Sequence, residues 1–486
     1  MPGPAFTLKP LIKRTPLFHL TKYIIGGLPD RFRFGRPFRP TLDLLAETEF
    51  LSADALAAFQ LSRLQRLLHH AYDHVPHYRR RFDDLRLKPD DIRTLEDIRK
   101  IPCLTKEEIM RAGRDLIARD FPKRHLAFQN SGGSTGIPVS YYNDRRVSEA
   151  VEWAYISDLW RRVGHRHRSP AVVLRGNRVH GCREGRRYWE RNAEANWLVF
   201  SSYHLNDDTL PLYIDRIRRF APEFIQAYPS VLQMLAGAMQ RQGIAAFETV
   251  RAVLCGSENL YDWQRRLFEE VLQTRVFSWY GHSERCCLAG ECEVSEIYHA
   301  YPQYGFTELV DGNGEWCMKE DERGEIVATG FNNPAMPLIR YRTQDIAVRA
   351  AGPCACGRNW MLIKRVEGRT QDYVIAGGGR PISLTALIHA QHFRAFERIK
   401  HMQLYQDTPG KVEVRIVEYD PLGPTEKDEI VAKMESAADG GLEVNLRIVN
   451  HIPRTGMGKL NFLIQKLDVG VDPMRADVGS GSDGPA

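Results

Sequence analysis

The sequence predicts a large α/β body with mixed, largely parallel sheets, followed by a smaller α+β domain. Between about 147 and 281, segments of strand character alternate with amphipathic helices, which is the pattern of parallel sheets. Beyond a hinge expected at 366–372, the order becomes helix, two strands, helix and strand. We therefore expect four parts: an N-terminal extension (1–45), the body (46–367), a C-terminal domain (368–468) and a disordered tail (469–486).

The body begins with a helix over about 53–82, where apolar residues recur at helical spacing. Val75 precedes Pro76 and should end this helix, because proline disfavours helical geometry at the residue before it. A capping box from Thr105 to Glu108 begins a later helix. These elements have a structural role.

Strands and helices then alternate along the body. Helices are expected at 147–160, 210–220, 229–242 and 262–273, and strands at 171–174, 197–200, 224–227, 250–254, from 276, at 324–329 and at 337–345. Ligands of open α/β sheets bind beyond the carboxyl ends of the strands. The residues that follow these strands are therefore candidate site residues.

A glycine-rich stretch between two short expected strands is a candidate phosphate cradle. Glycines let the backbone approach a ligand closely, and hydroxyls add donors beside exposed N–H groups. The stretch lacks the ending of a P-loop and the GxGxxG spacing of a dinucleotide fingerprint, and a plain turn is the alternative. Its candidate residues are Ser131, Gly132, Gly133, Ser134, Thr135 and Gly136.

Two strand ends carry groups that suit a nucleotide. Gly256 and Glu258 follow one strand and could face a planar base. In the next segment, Tyr280 could stack on a base, Ser283 could donate a hydrogen bond, and Glu284 could hold a divalent cation. Ordinary strand-to-helix turns are the alternative for both segments.

Two charged residues further along the chain add to this set. Asp345 ends an expected strand, where its carboxylate could accept both ribose hydroxyls or could cap backbone N–H groups. Lys459 lies at the tip of the last loop of the C-terminal domain, which two glycines free to reach a ligand. A solvated loop lysine is the alternative.

Composition and charge are those of an ordinary globular protein. The chain has 486 residues, 43% hydrophobic and 26% charged, and its net charge of +6 predicts no nucleic-acid partner. No window resembles a transmembrane span or the apolar region of a signal peptide, so we expect a cytoplasmic protein. The segment 18–25 could dock on the body or touch a membrane surface.

Nine cysteines are too few, and odd in number, for a disulfide scaffold. Six of them fall between 286 and 356, which makes a local metal site worth testing.

Taken in order, several motifs of the chain resemble those of the adenylate-forming superfamily, in its phenylacetate–CoA ligase and CapK-like branch. The resemblance extends from about 64 to 466, and each motif is weak alone whereas the ordered set is specific. The motifs are Ala71-Tyr-Asp-His-Val-Pro-His-Tyr78, Ile101-Pro-Cys-Leu-Thr-Lys106, Ser131-Gly-Gly-Ser-Thr-Gly136, Tyr280-Gly-His-Ser-Glu284, Tyr341-Arg-Thr-Gln-Asp345, Gly368-Arg-Thr-Gln-Asp372 and Pro453-Arg-Thr-Gly-Met-Gly-Lys459.

The resemblance implies an acyl-adenylate-forming enzyme with a mobile C-terminal domain that uses ATP, Mg²⁺ and a small-molecule carboxylic acid. Lys459 would neutralise charge near the α-phosphate, Glu284 would hold Mg²⁺, and the 131–136 loop would hold the β- and γ-phosphates. Asp372 would be the hinge residue. The remaining nucleotide-binding residues would be Gly256, Ser257, Glu258, Tyr280, Gly281 and Ser283 around the adenine, with Asp345 and Arg369 on the ribose.

The acyl acceptor stays open at this point. CoA is the acceptor that the resemblance favours, whereas CapK-like relatives favour an amine or a hydroxyl in polysaccharide or secondary-metabolite assembly. A non-catalytic nucleotide-binding protein is an alternative of another class. The acid pocket has only candidates, namely Tyr203, His204 and 280–282, and a homodimer is among the assemblies we expect.

Two positions depart from the family pattern, and the cysteines add a further expectation. Ile137 stands where many relatives place a lysine, and Gln344 stands where a glycine is common. The resemblance also implies a structural zinc in some members. Its ligands here would be Cys292, His299, Cys354 and Cys356, with Cys286 or Cys287 as substitutes and reduced thiols as the alternative.

Overall fold

The protein is described by a computed structural model over residues 33–130, 140–175, 179, 188–201, 204–205, 208–369, 373–379, 381–384, 387, 398–418, 420–438, 440–453 and 460–467. Its α-helices are α1 (Phe38–Thr48), α2 (Ala53–His74), α3 (Pro76–Asp84), α4 (Lys106–Ala112), α5 (Ser148–Arg161), α6 (Leu210–Phe220), α7 (Pro229–Arg241), α8 (Asp262–Leu272) and α9 (Pro424–Ala437). The helix α2 ends directly before Val75 and Pro76, as the sequence predicts.

The strands of the body are β1 (Leu126–Asn130), β2 (Ser140–Asp144), β3 (Ala171–Leu174), β4 (Trp189–Asn192), β5 (Trp197–Phe200), β6 (Phe224–Ala227), β7 (Ala252–Gly256), β8 (Arg275–Gly281), β9 (Leu288–Gly290), β10 (Tyr298–Ala300), β11 (Gly305–Val310), β12 (Arg323–Gly330), β13 (Tyr341–Arg349) and β14 (Met361–Arg369). Those of the C-terminal domain are β15 (Tyr373–Ile375), β16 (Pro381–Ser383), β17 (Ile399–Thr408), β18 (Lys411–Glu418), β19 (Glu443–Ile448) and β20 (Leu463–Gln465).

One long sheet forms the framework of the body. Among the described residues its strand order is β11-β12-β13-β14-β10-β9-β8-β7-β6-β3-β5-β4. The pairings within β5-β3-β6-β7-β8 are parallel, as the alternation of strands and helices predicts, and the other pairings are antiparallel. The antiparallel half is larger than expected, because alternating burial reveals a strand but not its direction.

Helices cover both faces of the parallel half. One apolar cluster joins α6 and α7 to the strands β3 and β5–β8, and includes Tyr213, Met239 and Phe268. A second cluster, rich in aromatic rings, joins α5 to the opposite face through Tyr155 and Trp160. A third joins α2 and α3 to the antiparallel strands. The sheet is therefore buried on both faces, and its strand ends form the accessible edge.

The C-terminal domain has a separate core. Its described residues form a four-stranded sheet of order β19-β18-β17-β20 and a short β15–β16 hairpin, with α9 on the sheet. The helix expected over 384–398 lies largely outside the described residues, as do the segment 1–32 and the expected tail. In the part of the chain that the structure describes, no helix is long and apolar enough to cross a membrane.

Candidate active site

The end of β8 and the middle of β13 bring two of the predicted nucleotide-binding residues together. The strand expected to end at Asp345 instead runs from Tyr341 to Arg349, because the apolar pattern does not mark where a strand ends. The Tyr280 hydroxyl donates a hydrogen bond to Asp345 Oδ2 at 2.6 Å. Burial and the Asp345 carboxylate raise the pKa of Tyr280 well above its usual value, so its hydroxyl remains a neutral donor. Asp345 is 6% exposed and lies opposite Arg369 in the backbone register of β13 and β14. A carboxylate is thus fixed at the edge of the sheet.

Glu284 follows β8 and presents a second buried carboxylate, 6% exposed. The Tyr341 hydroxyl donates to its Oε1 at 2.9 Å, and His282 Nδ1 lies 3.3 Å from its Oε2. The Cys287 N–H donates to His282 Nε2 at 3.2 Å. An N–H can only donate, so Nε2 accepts and the imidazole proton is on Nδ1, facing Glu284.

In the described part of the chain, the Glu284 carboxylate lies close to a histidine but not to a lysine or an arginine. Burial alone would raise the pKa of this carboxyl, but the hydrogen bonds from His282 and Tyr341 lower it to about 2. Among the described residues, no lysine or arginine nitrogen lies within 4.0 Å of it. A buried carboxylate that is ionised and not paired with a cation fits a hard divalent cation such as Mg²⁺.

The segment after β7 packs closely on β8. A Cβ at Gly256 would stand 2.6 Å from the Trp279 indole, so only glycine fits there. Ser257 has a φ of 69° and accepts a hydrogen bond from Arg175 at 2.7 Å. Both oxygens of Glu258 accept hydrogen bonds from Ser230, at 3.0 Å from its N–H and 3.1 Å from its hydroxyl. Glu258 therefore caps the N-terminus of α7.

The strands that flank the glycine-rich stretch reach the same place. β1 and β2 pair antiparallel, and the Tyr141 hydroxyl donates to the Ser283 carbonyl at 2.6 Å. Ser283 and Gly281 are exposed, in the turn that leads from β8 to Glu284. The predicted residues 131–136, Lys459 and Asp372 lie outside the described residues, as does Tyr203, and only the backbone of Arg369 is described.

Sequence reasoning did not identify the groups that hold Glu284. Tyr341 begins a motif that was quoted only for Asp345, and His282 was only a candidate for the acid pocket. His204, the other candidate, forms a hydrogen bond between its Nδ1 and the Ser201 hydroxyl at 2.7 Å. A histidine two residues before a candidate metal-binding carboxylate was the available signal.

The predicted zinc ligands form a compact cluster beside β9 and β10. One donor atom from each of Cys292, His299, Cys354 and Cys356 lies within 4.8 Å of the others. Cys292 Sγ is 3.7 Å from Cys354 Sγ, and Cys356 Sγ is 3.2 Å from His299 Nε2. His299 Nδ1 donates to the Ile297 carbonyl at 2.9 Å, which turns Nε2 toward the thiols.

The proposed substitutes lie elsewhere. Cys286 Sγ contacts the Glu284 carbonyl, and Cys287 Sγ accepts from the Thr307 hydroxyl at 3.4 Å. Burial, with a smaller contribution from Arg162, lowers the pKa of His299 to about 4, so its ring is neutral at neutral pH. The distances between the donors are close to the ~3.5 Å edges expected of a Zn²⁺ tetrahedron with two thiolates or a thiolate and an imidazole.

Comparison with known proteins identifies relatives that match most of the chain. The family model described as the CapK C-terminal domain matches residues 375–466. The phenylacetate–coenzyme A ligase of Escherichia coli is 30% identical over 341 residues, covering 68% of this chain and 75% of the relative. The Thermus thermophilus enzyme of the same name is 28% identical, covering 86% and 98%. Protein CapK of Staphylococcus aureus is 24% identical, covering 77% and 81%.

The fold is shared with solved structures. The crystal structure of 2-hydroxyisobutyryl-CoA ligase in its postadenylation state, in complex with R3-HIB-AMP, superposes with a TM-score of 0.68 at 16% identity, covering 86% of this chain and 91% of that one. The resemblance inferred from the ordered motifs is confirmed: this chain belongs to the phenylacetate–CoA ligase family of adenylate-forming proteins.

Proposed function

We propose that this protein is an ATP-dependent ligase that converts a carboxylic acid to an acyl-adenylate and then transfers the acyl group to CoA. The observation that carries the proposal is the buried, ionised Glu284 carboxylate, which has no lysine or arginine partner among the described residues. It lies in the turn directly after Tyr280, whose hydroxyl holds Asp345. The phenylacetate–coenzyme A ligase relatives support the acid-activating chemistry.

In the first step, a carboxylate oxygen of the acid bonds to the α-phosphorus of ATP, and pyrophosphate leaves with the bridging oxygen. Both reactants are anions, so the barrier falls mainly through positioning and charge neutralisation. Mg²⁺ held by Glu284 would neutralise part of the triphosphate charge. Asp345 would accept the ribose hydroxyls, while the 131–136 loop and Lys459 would provide the remaining phosphate contacts.

In the second step, the CoA sulfur bonds to the acyl carbon, AMP leaves with the anhydride oxygen, and the thiol proton passes to solvent. We propose that the 368–468 domain turns about Asp372 between the two steps, which would withdraw Lys459 after adenylation. Transfer to an amine or a hydroxyl is the second candidate. The match to the CapK C-terminal domain over 375–466 favours it.

We also propose a structural zinc and a cytoplasmic location. Cys292, His299, Cys354 and Cys356 would fill all four positions of a Zn²⁺ ion, which leaves none for substrate. Reduced thiols, ATP and CoA all belong to a reducing, ATP-rich compartment.

The test of the adenylation step is ATP–pyrophosphate exchange over a panel of aryl, fatty, amino and sugar acids. We expect one acid class to support exchange and Lys459→Ala to lose roughly 10²–10³-fold of it. Lys466→Ala, in the exposed segment after β20, is the matched control and should retain the wild-type rate. Absence of exchange with every acid would overturn the proposal.

The acceptor is decided by the products formed when CoA is added. An acyl-CoA thioester would support the ligase. Exchange without any thioester, followed by amide or ester formation with amine or hydroxyl acceptors, would support the second candidate.

A further inference from the structure

Arg175 lies where the carboxyl ends of four parallel strands meet. It directly follows β3, and its guanidinium is 5.5 Å from the ring centroid of Tyr228, which follows β6. The same guanidinium is 5.3 Å from the centroid of Trp279 in β8. Its Nη2 donates to the hydroxyl of Ser257, which follows β7, at 2.7 Å. The cation is thus held between two aromatic rings at the ligand-binding edge of the sheet.

Within the described residues, this half-buried guanidinium lacks the carboxylate partner that several other arginines of the body have. Arg265 pairs with Glu291, Arg340 with Glu308, and Arg358 with Glu49. Across the part of the chain that the structure describes, no carboxylate oxygen lies within 4.0 Å of Arg175, and its Nε has no hydrogen-bond partner.

The lack of a carboxylate partner for Arg175 among the described residues has an energetic cost. Burial lowers the pKa of Arg175, yet an arginine remains charged at neutral pH. A charged group that is withdrawn from water without a counter-ion costs free energy, and a bound anion would remove that cost. Glu258, the acidic residue on the neighbouring turn, is already bonded to Ser230.

The position of Trp279 connects this cation to the reaction. Successive residues of a strand face opposite sides of the sheet, so Trp279 and Tyr280 point in opposite directions. Trp279 packs with the aromatic cluster around α5, whereas Tyr280 packs with the cluster on the antiparallel strands and holds Asp345. Arg175 and Trp279 thus lie at the end of β8 on the side opposite Tyr280 and Asp345, and we assign the body of the acid to that side.

We propose that Arg175 selects acids that carry a second anionic group. This inference rests on the adenylating function proposed above. One carboxylate of the acid reacts at the α-phosphate, and the second anion is held by the guanidinium above the Tyr228 and Trp279 rings. The unpartnered Nε gives the guanidinium a further donor for the bidentate geometry that arginine forms with carboxylate, sulfate or phosphate.

The experiment compares pairs of acids that differ only at the far end. The probes are para-carboxyphenylacetate against para-methylphenylacetate, and adipate against hexanoate, each assayed by ATP–pyrophosphate exchange. Wild-type enzyme should give the higher kcat/KM with the charged member of at least one pair. Arg175→Met should lower the charged-to-neutral ratio of kcat/KM about 10- to 100-fold, because a hydrogen-bonded charge pair is lost.

Two further variants separate recognition from structure. Arg175→Glu should favour a probe with a terminal ammonium, 6-aminohexanoate, over adipate. Arg191→Met is the matched control, because Arg191 stacks on the Phe220 ring at 4.9 Å on the same sheet but is exposed on β4. It should leave the ratio at the wild-type value. Circular dichroism and thermal melting establish that each variant is folded.

The outcomes are distinguishable. An equal loss for both members of a pair in Arg175→Met would make Arg175 a structural residue and overturn the inference. Exchange by the wild type that favours the neutral members would overturn this inference alone and leave the adenylating function standing. No exchange with any acid would overturn both.

Discussion

The buried Glu284 carboxylate and the partly buried Cys/His cluster both lie beside the β8–β9–β10 strands, yet their polar groups are arranged differently. Glu284 accepts hydrogen bonds from a tyrosine and a histidine, and its negative charge has no lysine or arginine partner in the described chain. The cluster instead brings three sulfurs and one imidazole nitrogen to within 4.8 Å of one another. One arrangement leaves lone pairs for a ligand, and the other supplies a full set of four donors.

The surroundings of the two regions differ in the same way. The chain beside the cluster is held by Arg358, which bonds to Glu49 and to Glu293 at 2.7 and 2.8 Å. The turn of Glu284 is exposed at Gly281 and Ser283 and lies next to the strands that flank the glycine-rich stretch. This difference fits the two proposed roles, an exchangeable ligand at Glu284 and a permanent ion in the cluster, and it predicts different responses to substitution.

The largest expected effect is on catalysis, in Glu284→Gln. The amide keeps the shape of the side chain but removes the charge, so adenylation should fall roughly 10²–10³-fold. Exchange kinetics at saturating acid measure this loss, and the requirement for Mg²⁺ should shift to higher concentration.

Glu152→Gln is the matched control, because Glu152 also accepts a tyrosine hydroxyl, that of Tyr304 at 2.7 Å, but has an arginine partner, Arg285, at 3.9 Å. It should retain most of the exchange activity. Equal losses in the two variants would mean that Glu284 acts through folding rather than through charge.

The second-largest expected effect is a pH dependence of the free energy of unfolding, caused by the ionisation of Glu284. Its pKa in the folded protein is lowered to about 2 from the ordinary 4.5. A lowered carboxyl pKa stabilises the fold at pH values above the unfolded pKa, and the contribution is lost as the pH falls through 4.5 toward 2. The contribution is about 3 kcal/mol at neutral pH and falls by about 2 kcal/mol by pH 3.

Urea unfolding of wild type and Glu284→Gln at pH 7, 5, 4 and 3 measures this contribution as the difference between the two proteins. The difference should shrink as the pH falls. A difference that does not change with pH would contradict an ionised Glu284 in the folded state.

A slightly smaller effect is expected from the Cys/His cluster, and it should fall on stability rather than on catalysis. If the cluster holds zinc, a hundredfold excess of free zinc over its dissociation constant stabilises the fold by about 2.7 kcal/mol. Cys356→Ser should abolish stoichiometric zinc, measured by mass spectrometry of the native protein, and should lower the unfolding free energy by about that amount.

The control for this prediction is Cys103→Ser, a half-buried thiol outside the cluster. It should keep both its zinc and its stability. Full exchange activity in zinc-free protein at low temperature would agree with a structural ion. An equal loss of activity and zinc would mean that the zinc site is required for catalysis.

The two regions also differ in how far the sequence could predict them. Ligands of open α/β sheets bind beyond the carboxyl ends of the strands, and this rule predicted Gly256, Tyr280 and Glu284 as site residues, because they lie at or after the ends of parallel strands. Asp345 was also chosen as a strand-end residue, but its strand is antiparallel and continues to Arg349, because the apolar pattern encodes neither the direction nor the end of a strand. The donors His282 and Tyr341 escaped prediction because their partners depend on the turn after β8.

The cluster was predictable for a different reason. Cys292, His299, Cys354 and Cys356 were chosen by donor type, and the pairing of β10 with β9 and β14 brings the two halves together. Cys286 and Cys287 could not be excluded from sequence, because only the path of the chain between Glu284 and β9 directs them elsewhere. Arg175 was not predicted, because only the three-dimensional structure shows that no carboxylate of the described residues lies close to it.

The smallest expected effect is that of Gln344→Gly, which tests whether the departure from the family pattern beside Asp345 matters. Gln344 has a φ of 65°, a left-handed conformation that costs a non-glycine residue about 1 kcal/mol. Its side chain accepts a hydrogen bond from Lys106 at 2.7 Å, and its backbone N–H donates to Glu325 at 2.9 Å. Glycine would relieve the strain and keep the backbone bond but lose the bond from Lys106, which is worth about 1 kcal/mol. The two changes offset each other, so urea unfolding should show a difference below about 1 kcal/mol, and exchange kinetics should be unchanged.

Asp345→Asn is the contrasting variant, because it removes the charge that faces Tyr280 and should raise the KM for ATP. A Gln344→Gly variant as impaired as Asp345→Asn would mean that the contact with Lys106 positions the Asp345 carboxylate, and the candidate active site would then include the helix α4, which begins at Lys106.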